Sequence, residues 1–356
     1  MRFECLQAFR GFAILWIVLH HYLDNHQGYG KLIFSFFQRG YQGVTIFFVI
    51  AGYAISTAAE RALSQNESAR SFLLKRIQRI YIPYLFSLLF AALIFPGLAA
   101  VLSALKSGLS WPHLAKYAQQ YFYDYSFAEW VGILSLTKVF TSTSGQLNKA
   151  FLPMNGALWF LAVLIQMYLA IALALSTRKH YFKVILALTA LSLIALIPAV
   201  KNSIPYGFFL PYWPEFAAGI GLYTLVQRGK IFQVRAEWYF PVLILYTTFT
   251  ISMLILSDSP VLFSALLAGL FWLLFPQDKR ISRWPLFRFF AWIGVFSYSL
   301  YLIHVPLEPL LLMVIRNVLP LSYYITDLFV EVPAAILLGY VWYLFFERRR
   351  IEAVKN

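Results

Sequence analysis

The chain has 356 residues, of which 61% are hydrophobic, 19% aromatic and only 12% charged. A soluble domain carries about 25% charged residues, so this composition excludes a soluble enzyme and describes a polytopic membrane protein. The net charge of +14 could serve nucleic acid, but the basic residues lie in short segments between apolar stretches. A single cysteine, Cys5, excludes an internal disulfide and a multi-cysteine metal site.

In chain order, ten apolar stretches approach the length needed to cross about 30 Å of hydrocarbon. They are 6–23, 43–59, 79–101, 156–176, 183–200, 209–227, 239–257, 260–276, 289–314 and 326–346. The first has no small-residue cleavage site and reads as a retained membrane helix rather than a signal peptide. With the N-terminus inside, 21 Lys and Arg fall on one side and 8 on the other. Short cytoplasmic loops retain such residues, so both termini are expected in the cytoplasm. The expectation is an all-α transmembrane bundle forming a single domain over 1–356, with no appended soluble domain. The longest connection, about 102–155, falls outside. Its aromatics (Tyr117, Tyr121, Phe122, Tyr123, Tyr125 and Trp130) suit interfacial or re-entrant helices.

Four constellations carry possible chemistry. On the first helix, Arg10 and His21 are eleven residues apart. At about 100° per residue they return to within roughly 20° of one face, about 16 Å apart along the axis. Ionisable groups at bilayer depth normally face a bundle interior or a wet cavity. A His can act as the general base that a hydroxyl acceptor needs to attack a thioester. The plain alternative is that both side chains snorkel to opposite interfaces. His20 points roughly 100° away and reads as packing.

Second, Lys75, Arg76 and Arg79 enter the third span from the cytoplasm. Guanidinium forks bind phosphate oxygens in pairs, which suits a phosphate-rich acyl-CoA, and an ordinary positive-inside anchor is the alternative. Third, Gly43 to Tyr53 offers small residues for close helix approach. Fourth, Gly294 to Pro306 carries Tyr298 and His304. His304 lies about 20 Å into its span and His21 about 22 Å into its own, so the two can meet at one depth. Glu215 and Glu331 fall in outer halves of spans, as partners for these histidines or for a sugar hydroxyl. No nucleotide-binding fingerprint is present.

Taken together, these segments resemble the acyltransferase-3 family of integral membrane proteins, whose bacterial members commonly O-acylate surface glycans. The resemblance runs from Phe9-Arg10-Gly11 through His21, Gly43 to Tyr53 and Lys75 to Tyr84. It continues through Asn155-Gly156-Ala157-Leu158-Trp159, Phe216 to Gly219 and Ser297 to Pro306. It implies transfer of an acyl group, usually acetyl from acetyl-CoA though other acyl-CoA donors are possible, to a carbohydrate or lipid-linked glycan hydroxyl in the bacterial inner membrane. By that resemblance Arg76 and Arg79 meet the donor, Arg10 lines the path, and His21 deprotonates the acceptor or takes part in an acyl relay. With the residue readings above, His21 and Arg10 are the catalytic candidates, Lys75 joins Arg76 and Arg79 at the donor, and His304, Glu215, Glu331, Tyr298, Trp159 and Asn155 contact or support substrate. No metal is expected, nor nucleic acid. Gln7-Ala8 stands where many members carry Asp-Gly, and Ala51 where they carry Ser. Two other readings remain open: a transporter or flippase, with Arg10, His21 and Glu331 along an ion path, and a structural subunit of a glycan-assembly complex.

Overall fold

A computed structural model describes residues 3–23, 31–108, 110–121, 124–140, 155–205, 207–227, 236–318 and 327–348. Among the described residues the chain is helical and has no strand. The helices are α1 (Cys5–Leu23), α2 (Lys31–Gln38), α3 (Gly43–Ser64), α4 (Ala69–Leu89), α5 (Phe95–Lys106), α6 (Trp111–Tyr121) and α7 (Phe127–Leu134). They continue as α8 (Trp159–Ser176), α9 (Tyr181–Ile194), α10 (Pro198–Lys201), α11 (Trp213–Gln227), α12 (Ala236–Leu256) and α13 (Pro260–Leu274). The last are α14 (Asp278–Ile281), α15 (Pro285–Val295), α16 (Ser297–Val318) and α17 (Val332–Phe346).

Five stretches among the described residues are long and apolar enough to cross a membrane: Ser35–Ser64, Ala69–Lys106, Gly156–Ser176, Pro260–Ile281 and Leu328–Phe346. A sixth arises if α15 and α16 count as one broken span, because the chain bends by 71° between them. The expected continuous span 289–314 is therefore two helices. The third expected span is longer than its apolar core, since α4 begins at Ala69 and continues through a π-turn at Phe90–Ile94 into α5. The other expected spans are helical but less complete: α9 and α11 have 14 and 15 residues, α12 carries an internal Pro241, and α1 includes Gln7, Arg10, His20 and His21.

The chain divides into two compact units. The first comprises Met1–Ile17, Gly40–Arg76 and Val163–Val295. Here α3 packs along α11, and α11 and α12 both pack on α13. Glycines set how closely these helices approach: a Cβ on Gly52 would collide with the Phe216 carbonyl, and one on Gly219 with the Val49 carbonyl. Small residues matter in lipid because apolar side chains gain little by leaving it, so close backbone packing carries helix association. Gly11 on α1 and Gly294 on α15 make a second such crossing, against the Phe290 and Gln7 carbonyls.

The N-terminal end of α1 is held from far along the chain. Asp278 accepts from the Glu4 amide at 2.8 Å and the Cys5 amide at 2.7 Å. First-turn amides have no partner inside their own helix, and a carboxylate there also meets the positive end of the helix dipole. Phe3, Trp16, Tyr53, Leu222 and Phe271 belong to the apolar core around this anchor.

The second unit comprises Val18–Arg39, Ile77–Ala162 and Phe296–Asn356. In it α6 folds back on α5, and α16 packs on α17, on α5 and on the short turn Gly156–Leu158. Tyr84 and Tyr81 of α4 donate to the Ile133 and Leu134 carbonyls at 2.6 and 2.7 Å. These bonds occupy two carbonyls at the end of α7 and set it level with the middle of α4. The connection thus returns along α4 and α5, while 141–154 lie outside the described residues. Ser126 and Glu129 form a capping box on α7, and Lys138 bonds Glu129 at 2.9 Å while lying over the Tyr125 ring.

Two substitutions test this packing. Gly52→Val should lower stability by about 1–3 kcal/mol through overpacking against α11, read as an earlier thermal unfolding midpoint in detergent. Asp278→Ala should cost about 1–3 kcal/mol by leaving the α1 amides unpaired. Hydrogen exchange should then quicken first at Glu4 and Cys5.

Candidate active site

His21 and His304 come together in the second unit. Their ring centroids are 5.2 Å apart, with planes tilted by 52°. His304 is fully buried, whereas His21 is half-buried. The His304 Nδ1 lies 2.8 Å from the Tyr301 carbonyl, and the Leu300 carbonyl is also in reach. Carbonyl oxygens only accept, so Nδ1 carries the proton and Nε2 of the neutral ring bears a lone pair. That Nε2 is buried and has no hydrogen-bond partner. His20, whose ring is 5.3 Å from that of His21, instead directs Nδ1 to the Phe37 carbonyl at 3.1 Å.

The local sequence explains why this part of α16 can be held so firmly. Pro306 lacks the amide that would bond the Leu302 carbonyl four residues earlier. Asn155 supplies the missing donor, with Nδ2 at 2.9 Å from that carbonyl. Its Oδ1 accepts from the Ala157 amide at 3.1 Å. Tyr301 donates its hydroxyl to the Ala157 carbonyl and packs edge-on against Phe160 at 5.6 Å. The Tyr22 hydroxyl donates to the His304 carbonyl at 3.0 Å, fixing α1 against α16 one residue from His21. Glu308 and Glu331 lie close enough to the Tyr22 phenol to act on it electrostatically; Glu331 itself is buried.

The remaining supporting candidates in this unit have structural contacts. Tyr298 donates to the Ile80 carbonyl at 2.7 Å, tying α16 to α4. Trp159 opens α8, half-buried, with its ring edge-on to Phe160.

Glu215 lies in the first unit, in the opening turn of α11, and is buried. It meets the Thr45 hydroxyl of α3, and that hydroxyl is 3.1 Å from Gln42 Oε1. Gln42 and Thr45 are buried too. Glu215 stands out in the sequence but these neighbours do not, because a Gln and a Thr at a helix start look like ordinary turn residues.

The basic residues divide by what they touch. Lys75 pairs with Glu67 at 2.8 Å, a partner that local sequence does not mark. The Lys75 ammonium, then the Ser71 hydroxyl, hold the Glu67 carboxyl below the usual carboxylate range. Arg76 lies over the Phe72 ring, 5.3 Å from its centroid, and is half-buried. Arg79, three residues on, is exposed. Arg10 is half-buried on α1, and the single helix confirms that it and His21 share one element. Among the described residues, no three His, Cys, Asp or Glu side chains gather as a metal site.

In the second unit His21 and His304 thus stand as neighbouring imidazoles, and α4 carries Arg76 and Arg79 three residues apart. No curated protein and no solved structure matches the chain. The profile of the acyltransferase-3 family, described as an acyltransferase domain, matches residues 3–348. A match over nearly the whole length, on helices apolar enough to cross a membrane, settles the family: the chain belongs to the acyltransferase-3 family of membrane acyltransferases.

Proposed function

We propose that this protein is an O-acyltransferase of the bacterial inner membrane, moving an acyl group, acetyl in the first instance, from cytoplasmic acyl-CoA to a hydroxyl. The acceptor is a cell-surface polysaccharide or its lipid-linked precursor. The observation that carries the reading is the His21–His304 ring pair, set at 5.2 Å in a helical protein of this family. The topology proposed with it has ten spans and both termini in the cytoplasm, from the 21 to 8 distribution of Lys and Arg.

In the proposed reaction His21 takes the proton from the acceptor hydroxyl as its oxygen attacks the thioester carbonyl. The new C–O bond forms, the C–S bond breaks, and the leaving thiolate receives the proton back. General-base help of this kind supplies about 10²–10⁴-fold in rate. Arg76 and Arg79 bind the donor's phosphates in this proposal, with Lys75, which meets Glu67 at 2.8 Å, beside them. Arg10, further along the α1 face that carries His21, lines the donor's path.

Purified protein in nanodiscs, given radiolabelled acetyl-CoA and a lipid and glycan extract of the host, should release CoA thiol and pass label to the extract. His21→Ala should lower transfer by about 10²–10⁴-fold with its unfolding midpoint retained. Full activity in a folded His21→Ala protein would refute the assignment of the base. Accumulation of unmodified substrate in vesicles, with no acylated product, would identify a transporter instead. Arg76→Ala with Arg79→Ala should raise KM for acetyl-CoA about tenfold or more while leaving the acceptor KM in place, since charge-assisted contacts to phosphate are lost.

A further inference from the structure

We infer that His304 is a positioning residue: its Nε2 lone pair fixes the tautomer and plane of His21 and, through the N–H it accepts, stabilises the imidazolium that forms when the other His21 nitrogen takes a proton. The inference rests on the acyl-transfer reading above and concerns how His21 performs it. A buried nitrogen acceptor without a donor is costly, and His304 Nε2 is such an atom. The ring packed against it that carries an N–H to donate is that of His21. At a centroid separation of 5.2 Å, a modest rotation about the His21 side-chain bonds brings two ring nitrogens into hydrogen-bonding range.

The direction of that bond follows from the backbone. The Tyr301 carbonyl keeps the proton on His304 Nδ1, so His304 can only accept at Nε2. His21 must then donate one N–H to it, and its other nitrogen is left as the lone pair that meets the acceptor hydroxyl. When His21 takes the acceptor's proton it becomes an imidazolium, with one N–H still on His304 Nε2. No bond other than N–H and O–H is made or broken in this step, and the proton returns through His21 to the leaving thiolate.

The arrangement does by a neutral ring what a carboxylate does for the histidine of a Ser-His-Asp triad. A neutral acceptor avoids placing a permanent anion beside the base at bilayer depth, where an ion is expensive. The clamps described above hold the acceptor ring still. Asn155 answers the Leu302 carbonyl, Tyr301 anchors to Ala157, and Tyr22 ties α1 to the His304 carbonyl. Among the described residues, His20 and Tyr22 of α1 and Tyr301 of α16 face the pair, and Glu308 of α16 and Glu331 in the turn before α17 act on the Tyr22 phenol.

The test compares His304→Phe, His304→Gln, His21→Ala and the double variant His21→Ala/His304→Phe, each checked by thermal unfolding. His304→Phe should lower kcat about 10²-fold with both KM values within about twofold. His304→Gln, whose amide oxygen can accept from His21, should recover about tenfold of that loss. The double variant should be no slower than His21→Ala, because residues acting as a unit are not additive. Multiplicative losses, or a Gln variant no better than Phe, would overturn the inference while leaving acyl transfer intact. A second reading needs no turnover: nitrogen-15 correlation spectra should show one His21 tautomer in the wild type and a mixture in His304→Phe. An unchanged His21 spectrum would overturn the inference, whereas a wild type without transfer would overturn the acyl-transfer reading alone.

Discussion

A backbone amide or carbonyl inside a hydrocarbon layer has no water to bond, so it must find its partner within the protein. Much of the architecture follows from places where a helix cannot satisfy itself. Pro306 leaves the Leu302 carbonyl without its amide, and Asn155 donates to it. The first amides of α1 have no carbonyl to reach, and Asp278 accepts from two of them. The end of α7 exposes carbonyls, and Tyr81 and Tyr84 occupy two. Each bond joins segments distant in sequence, so the rule that satisfies the backbone also aligns the elements.

The same rule reaches the chemistry. The Tyr301 carbonyl does not merely support His304; it decides which nitrogen holds the proton and which is a base. Tyr22, beside His21, uses its hydroxyl on the His304 carbonyl, so the backbone contact and the ring contact reinforce one register between α1 and α16. Glycine crossings set the spacing elsewhere. Gly11 meets α15, and Gly52 and Gly219 meet across α3 and α11. Those glycines lie in the very segments that carry the family resemblance, which makes much of the motif content a record of helix crossings.

Local pattern made several features legible. The apolar runs at 156–176, 260–276 and 326–346 are helices long enough to span, and the eleven-residue spacing of Arg10 and His21 placed both on one helix. Counting residues into each span brought His21 and His304 to one level, and their rings are neighbours. What the sequence could not convey were pairings set by tertiary contact. Asp278 lies more than 270 residues from the amides it holds, and nothing around it marks a cap for α1. Glu67 is an unremarkable loop residue until Lys75 meets it. Thr45 and Gln42 gain meaning only beside Glu215. The 71° break between α15 and α16 is likewise invisible in an apolar run that reads as continuous.

In the proposed reaction, acyl transfer takes place at His21 and the donor's phosphates rest on Arg76 and Arg79. An experimental structure of the protein with a non-transferable acetyl-CoA analogue, in which the thioester sulfur is replaced by methylene, tests it most directly. The account predicts the acyl carbonyl beside the His21 ring, on the side away from His304, with phosphate oxygens on the Arg76 and Arg79 guanidinium groups. An analogue bound with its acyl carbonyl remote from His21, or with its phosphates on other residues, would contradict it.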